Sequence, residues 1–275
     1  MLTAQGCLAR RKQLMWRYED LGRGPDWKPE LEPRAEWAIV ADPRHLMYLA
    51  NFPVEPISWS SPPPGLLLIK QDGWAMLVVD NLAARRLDNL WIDQVEIVPW
   101  YNHADSAVDR RLAVIEHFLG HLPGPAAPVI AIESRAVPCE LLQGLKKKSP
   151  QALFVTLDEH LLVMRRTKHP DELGLIRDCI RAGEAGHMRS WEVVRPGVTE
   201  LEVYTEVVRA CTDAAGQPVV VYGDFCSGPR TWTDRGGPPT RRQLEPGDLM
   251  ILDFSVVIGG YRGDFTNTIA VAGPA

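Results

Sequence analysis

The chain has 275 residues, 45% of them hydrophobic and 24% charged, with a formal net charge of −5 and a pI near 5.8. That length allows about two domains, and the composition is that of an ordinary soluble globular protein. The acidic balance and the lack of a basic tail argue against a nucleic-acid partner, and no apolar run approaches the ~20 residues of a membrane-spanning helix.

The N-terminal stretch MLTAQGCLARRKQLM has no basic start followed by an apolar core, so no signal peptide is expected. Cysteines stand at 7, 139, 179, 211 and 226, an odd number without a CxxC pair. Free thiols in a reduced, cytoplasmic setting are the simplest reading.

Taken in chain order, Leu8–Asp20 reads as an amphipathic helix, and the Gly/Pro-rich LGRGPDWKPELEPRAE as a connector. EWAIVA predicts a strand. LLLIK and WAMLVVD predict a hairpin around Gln71–Gly73. A helix is expected over Asn81–Leu90, a strand near Val95–Val98, and a helix over Asp105–Leu119 capped by Asp105 or Ser106. PVIAIE, PCELLQGLKKK and ALFVT follow as strand, helix and strand. These elements make a mixed α/β domain over residues 1–164, with a second domain over 165–275.

The second domain opens with a helix from Pro170 to about Val194, with proline in its first turn and acids after it. Pro196–Gly197 stops that helix. Thr199 caps the next one, and Glu202 completes a capping box; the helix ends near Ala215–Gly216. Strands are expected at Val219–Tyr222 and Phe225–Ser227, then a Gly/Pro/Arg-rich loop over Gly228–Arg242, and last a hairpin from Asp248 to Val271.

That hairpin carries an acid on each strand, Asp253 and Asp264. With its turn centred on Ile258–Gly259 the two would stand directly opposite each other. Alternation puts Asp253, Ser255, Arg262, Asp264 and Thr266 on one face and Leu252, Phe254, Val256, Tyr261 and Phe265 on the other. Opposed carboxylates repel. Where partly buried they take up a proton or share a cation, and hard divalent cations favour such oxygen pairs. The alternative is a solvated face on which Arg262 offsets one acid.

The segment LEPGDLMILDFSVVIGGYRGDFTNTIAV resembles the hallmark hairpin of the pita-bread metallopeptidases, matching at Pro246-Gly247-Asp248, Asp253, Gly260-Tyr261, Asp264, Thr266 and Thr268. MRRTKHPDELGLIRDCIRAGEAG and VRPGVTELEVYTEV are similar to that family's first two helices. DPRHLMYLANF is similar to the N-terminal domain of its aminopeptidase P, prolidase and creatinase branch. The resemblance implies a creatinase-like α/β domain followed by the first half of a pita-bread domain, an α/β (α+β) fold overall. It implies Asp253 and Asp264 as the first two ligands of a site for two divalent ions (Mn, Co or Zn), with Thr266 as a supporting neighbour. The implied activity is that of a hydrolase of the Xaa-Pro aminopeptidase or Xaa-Pro dipeptidase type, acting on a peptide or small C–N substrate.

Three departures qualify it. The family's remaining ligands, one His and two Glu, lie beyond this hairpin, whereas the last histidine here is His187. The chain is therefore expected to be a fragment, inactive alone, that leaves part of the hairpin's apolar face bare and so dimerises or aggregates. A substrate-contacting His usual before a segment like PPTRRQLEPGD is missing from TWTDRGGPPT, with Gly236 or its neighbour in its place and Asp234 close by. Ser255 stands where Gly is common and Asn267 where Arg is common. A non-catalytic relative that binds partners stays open as the alternative. His117 and His121, four apart on a predicted helix, have metal-ligand spacing, but no acid motif completes them and a surface pair is expected.

Overall fold

The computed structural model describes residues 1–16, 35–53, 65–104, 106–122, 128–233 and 236–272. The chain forms two compact units, Met1–Asp171 and Glu172–Ala275. The sequence expectations for the connector at 21–34 and for Asp105 and Asp234 lie outside the described residues.

The first unit is built on strands β1 (Trp37–Val40), β2 (Leu66–Lys70), β3 (Ala75–Asp80), β4 (Gln94–Val98), β5 (Val129–Ile132) and β6 (Leu153–Thr156), in the sheet order β4-β3-β2-β1-β5-β6. The pairs β1–β2 and β2–β3 are antiparallel and the others parallel. The inner strands β1, β2, β3 and β5 are largely apolar and buried because both faces of the sheet are covered there. Val40, Leu67, Ile69 and Leu77 pack with α1 (Ala4–Trp16), α2 (Pro43–Ala50) and α5 (Asp158–Arg166). Ile39, Leu66, Leu68 and Met76 pack with α3 (Arg110–Gly120) and α4 (Cys139–Lys148).

Helix α1 is less simply amphipathic than its sequence implies, because Arg10 and Arg11 are 0% and 3% exposed. Their guanidinium groups donate to the last carbonyls of α2, Arg10 Nε to Tyr48 O at 2.7 Å and Arg11 Nη1 to Leu49 O at 2.9 Å. Helix-end carbonyls have no partner within their own helix, so these bonds satisfy groups otherwise left bare.

Three local expectations need correction. The stretch 81–90 holds only a short 3-10 turn, Ala83–Arg86. Asp80 Oδ1 accepts from the amides of Leu82 and Ala83 at 2.8 Å each, a side-chain turn that competes with a longer helix. The helix expected from Asp105 starts at Arg110 with Asp109 as its cap, where the Asp109 side chain accepts from Leu112 N, and Ala107 N is instead bonded to Trp100 O. Helices α2 and α5 were not anticipated, although Asp42 with Pro43 behind it is a proper helix start.

The second unit contains most of α6 (Pro170–Val193), then α7 (Glu200–Ala215), β7 (Val220–Ser227), the short α8 (Arg230–Thr233), β8 (Leu249–Ile258) and β9 (Tyr261–Ala270). The capping box of Thr199 and Glu202 is present, with Gly216 as the left-handed C-cap. The two short strands expected before the loop are one continuous β7. Gly223 lets it run unbroken, since a Cβ there would lie 2.1 Å from Asp253 O.

The three strands lie in the order β7-β8-β9. Leu252, Phe254 and Val256 of β8 are 0–1% exposed under Cys179, Ala182, Val203, Val207 and Cys211 of α6 and α7. Phe265 and Tyr261 are partly buried. The bare apolar face expected on this hairpin is thus covered by its own two helices.

The register also differs from the expectation. The turn is Gly259–Gly260, with φ of 56° and 77°, between the paired residues Ile258 and Tyr261. Two consecutive positive φ values define the tight I′ hairpin turn, which glycines adopt freely and a β-branched isoleucine does not. Asp253 therefore opposes Thr266, and Ser255 opposes Asp264. The two hairpin acids share a face but sit diagonally rather than directly across.

Candidate metal centre

The polar face of the second sheet is set by strand pairing. One row runs Asp224 (β7), Asp253 (β8), Thr266 (β9), and the next runs Tyr222, Ser255, Asp264. Asp224 and Asp253 are half-buried, and Asp264 and Thr266 are exposed. Directly opposed like charges destabilise a strand pair, so the Asp224–Asp253 register holds a repulsion that a cation relieves. Diagonal neighbours such as Asp253 and Asp264 have Cα atoms roughly 7–8 Å apart, a gap two aspartates can span with an ion between them.

Few protein groups compete for these oxygens. Among the described residues neither Asp224 nor Asp253 has a hydrogen-bond or ion-pair partner on its carboxylate. Ser255 Oγ donates to Asp264 Oδ1 at 3.2 Å. Arg262 lies 3.7 Å from the other Asp264 oxygen, but both side chains are more than half exposed, and such pairs hold weakly.

A buried network holds the loop beside this face. Glu200, at the start of α7, is 0% exposed. It accepts from Ser227 N and Oγ at 2.8 Å each, from Thr240 N at 3.0 Å and Oγ1 at 2.6 Å, and from the guanidinium of Arg230. Arg242 extends the network from Ser227 Oγ (2.8 Å) to Asp248 (2.6 Å). Within this frame Phe225 N donates to Gly237 O at 2.9 Å. Gly236 is laid so close to Asp224 that a Cβ would meet its Oδ2 at 2.2 Å. At the place of the expected histidine, then, a bare backbone lies against a carboxylate.

Asp224 and Glu200 were not singled out from sequence. Asp224 had a readable signal, an acid between Tyr222 and Phe225 in an otherwise apolar strand. Glu200 looked like an ordinary first-turn helix acid. Ser255, Asp264, Asp253 and Thr266 share one face as expected.

All the donors on this face are oxygens, which suits hard or borderline divalent cations. The fit is partial. His187 lies on the opposite side of the sheet, its ring stacked 4.3 Å from that of Phe254. Among the described residues two groups of three ligand side chains converge within 4.8 Å, Asp42–His45–Glu133 and Glu96–His117–His121, and the hairpin acids belong to neither.

An α/β unit followed by a helix-covered antiparallel sheet with paired aspartates is the architecture of the pita-bread metallopeptidase class. Residues 32–167 match the creatinase/prolidase N-terminal domain and residues 174–275 match metallopeptidase family M24. The chain belongs to this family, in its aminopeptidase P, prolidase and creatinase branch. It is 27% identical over 145 residues to a Xaa-Pro dipeptidase of Pyrococcus horikoshii, covering 53% of this chain and 41% of that protein. It is 24% identical over 147 residues to the putative dipeptidase YkvY of Bacillus subtilis, covering 52% and 39%. Among solved structures, a Xaa-Pro dipeptidase from Bacillus anthracis shares the fold with a TM-score of 0.67 at 18% identity, over 99% of this chain and 66% of that one. The prolidase of Pyrococcus horikoshii does so at 0.66 and 22%, over 88% and 62%. The chain thus spans about two fifths of the curated relatives it matches. No helix of the described residues is long and apolar enough to cross a membrane, and none of the five cysteines is in a disulfide.

Proposed function

We propose that the chain belongs to a metal-dependent hydrolase of the Xaa-Pro dipeptidase or aminopeptidase type, with Asp253 and Asp264 as metal ligands and Thr266 orienting Asp253 from across the strand pair. In this reading residues 1–164 are the creatinase-like domain and 165–275 a part of the catalytic domain. The observation that carries it is the polar face of β7–β9, where the carboxylates of Asp224 and Asp253, unpartnered among the described residues, sit in the row next to the weakly held Asp264, within the segment that matches family M24. Divalent ions bound to such carboxylates supply Lewis-acid polarisation of a scissile carbonyl and activation of water. The protein's share is to hold the acids on a rigid sheet, to keep histidine and apolar groups on its other face, and to brace the flanking loop through Glu200.

The described face offers oxygen donors only. We therefore expect residues 1–275 to bind Mn²⁺ or Co²⁺ weakly and not to turn over Xaa-Pro peptides unaided. Calorimetric titration with Mn²⁺, together with a Xaa-Pro dipeptide and tripeptide assay, tests this. Binding diminished in both Asp253→Ala and Asp264→Ala supports the ligand assignment, and undiminished binding in either overturns it. Metal-dependent turnover by this chain, lost in Asp264→Ala, would show that these residues suffice for catalysis. A second reading, a non-catalytic relative that binds partners, is favoured by Gly236 standing against Asp224 where a proton-moving side chain was expected. Metal binding without turnover in the longest natural form of the protein would select it.

A further inference from the structure

The first unit brings together three side chains that the function above does not use. Glu96 lies on β4, the edge strand of the six-stranded sheet, while His117 lies in the last turn of α3 and His121 caps that helix. His117 Nε2 is 3.3 Å from Glu96 Oε2 and 3.3 Å from His121 Nε2, and His121 Nε2 is 3.8 Å from the same Glu96 oxygen. Gln94 Nε2 donates to Glu96 Oε1 at 2.7 Å, which turns the other oxygen toward the two rings.

Hydrogen bonding alone does not account for this arrangement. One imidazole nitrogen carries either a proton or a lone pair. If His117 Nε2 carries the proton it can share it between Glu96 and a His121 lone pair, but that lone pair then faces the Glu96 oxygen at 3.8 Å. If it accepts from His121, its lone pair faces the carboxylate. A cation bound by all three lone pairs satisfies every contact at once. Tetrahedral zinc with bonds of about 2.0–2.1 Å places neighbouring ligand atoms about 3.3 Å apart, and two of the three separations here have that value.

We propose that Glu96, His117 and His121 form a binding site for Zn²⁺ or a similar borderline divalent ion, with the fourth position open to solvent. Two imidazoles and one carboxylate are a donor set for zinc rather than for the hard ions suited to the hairpin. Gln94 is the outer partner that orients the carboxylate. All three ligands are at least partly exposed, so the open position is reachable. Binding there clips the sheet's edge strand to the end of α3. The other convergent trio is different in kind. Glu133 Oε2 there accepts from Ala41 N at 2.9 Å and Asp42 N at 2.8 Å, His45 Nδ1 pairs with Glu133 Oε1, and Arg44 Nε donates to Asp42 Oδ1 at 2.8 Å, so the trio's donor atoms already have protein partners.

The test uses the full chain carrying Asp253→Asn and Asp264→Asn, so that the hairpin contributes nothing. After treatment with EDTA and its removal, Zn²⁺ is titrated by calorimetry and Co²⁺ by visible absorption in a buffer that does not bind metal. The expected result is a single site, a four-coordinate Co²⁺ spectrum, and a rise in the thermal midpoint with Zn²⁺. His117→Ala and His121→Ala should each weaken binding more than about 100-fold, the upper end of what changes outside a ligand set produce. Glu96→Gln, which keeps the side chain's shape, should weaken it by roughly 10-fold or more. Far-UV circular dichroism and the EDTA midpoint of each variant show whether it is folded. No binding at millimolar Zn²⁺, or unchanged affinity in either folded histidine variant, overturns the proposal.

Discussion

Asp224 and Asp253 stand directly across from each other on β7 and β8, half-buried, with no protein partner for either carboxylate among the described residues. The sequence placed this opposition within the hairpin, between Asp253 and Asp264. The structure moves it one strand over and leaves the hairpin acids on a diagonal. A third carboxylate thereby joins the site.

That relationship has opposite consequences with and without a metal. In EDTA, Asp224→Asn and Asp253→Asn should each be more stable than the parent by roughly 0.5 kcal/mol, the scale of a like-charge pair across two strands. In millimolar Mn²⁺ the gain of Asp253→Asn should vanish or reverse, because a ligand is lost. Urea unfolding in the two conditions reads the difference. Equal stabilities in EDTA would show that no repulsion is held there.

Glu200 is fully buried and bonded to Ser227, Arg230 and Thr240. Glu200→Ala leaves the buried Ser227 and Thr240 donors without their acceptor and should cost about 3 kcal/mol. Glu200→Gln keeps one acceptor and should cost less. Chemical denaturation of both variants checks the order. A loss below about 1 kcal/mol for the alanine variant would mean that the loop is held by other contacts.

The hairpin turn makes a sharper prediction. Gly259→Asn gives the Asn-Gly pair favoured in I′ turns and should be neutral or stabilising. Gly260→Val forces a β-branched residue to a φ near 77° and should cost roughly 1–2 kcal/mol. Tolerance of valine at 260 would contradict the register of β8 and β9.

Stability should fall on mild acidification. Burial pushes His160 down to about 4, against a weaker opposing hydrogen bond with the Gln13 backbone. The unfolded value is about 6.5, so between pH 6.5 and 4 the unfolded chain binds the extra proton and stability drops as pH falls, by about 3 kcal/mol in all. A second loss lies at lower pH. Burial would raise the Asp171 carboxyl, but bonds from Arg10 and the Thr3 amide overcome it and hold it at about 2. That contribution is present above the unfolded value near 3.9 and disappears as pH falls toward 2. Thermal midpoints from pH 7 to 3 should show the first loss in the parent and not in His160→Gln.

Much of the fold was legible because its signals are local. Pro170, the Thr199–Glu202 capping box and Gly216 mark helix ends through contacts within a few residues. The apolar runs of β2, β3 and β5 announce strands covered on both faces. The misreadings arose where a single residue overrode a local pattern. Asp80 replaced a helix with a turn, and Gly223 allowed one strand where its glycine suggested two.

From the sequence alone came the pairing of two domains, the α/β then helix-and-hairpin order, and the set of residues sharing the polar face, because alternation along a strand depends only on parity. Tertiary structure decided which acid opposes which. The register depends on which two residues take positive φ, and a one-position change in the turn moves Asp264 from opposite Asp253 to opposite Ser255. It also decided the long-range groupings. Glu96 meets His117 and His121 because β4 and the end of α3 are adjacent in the folded sheet, and Glu200 is buried because α7 starts beside the end of β7. No spacing within the chain encodes either meeting, since each joins residues more than 20 positions apart.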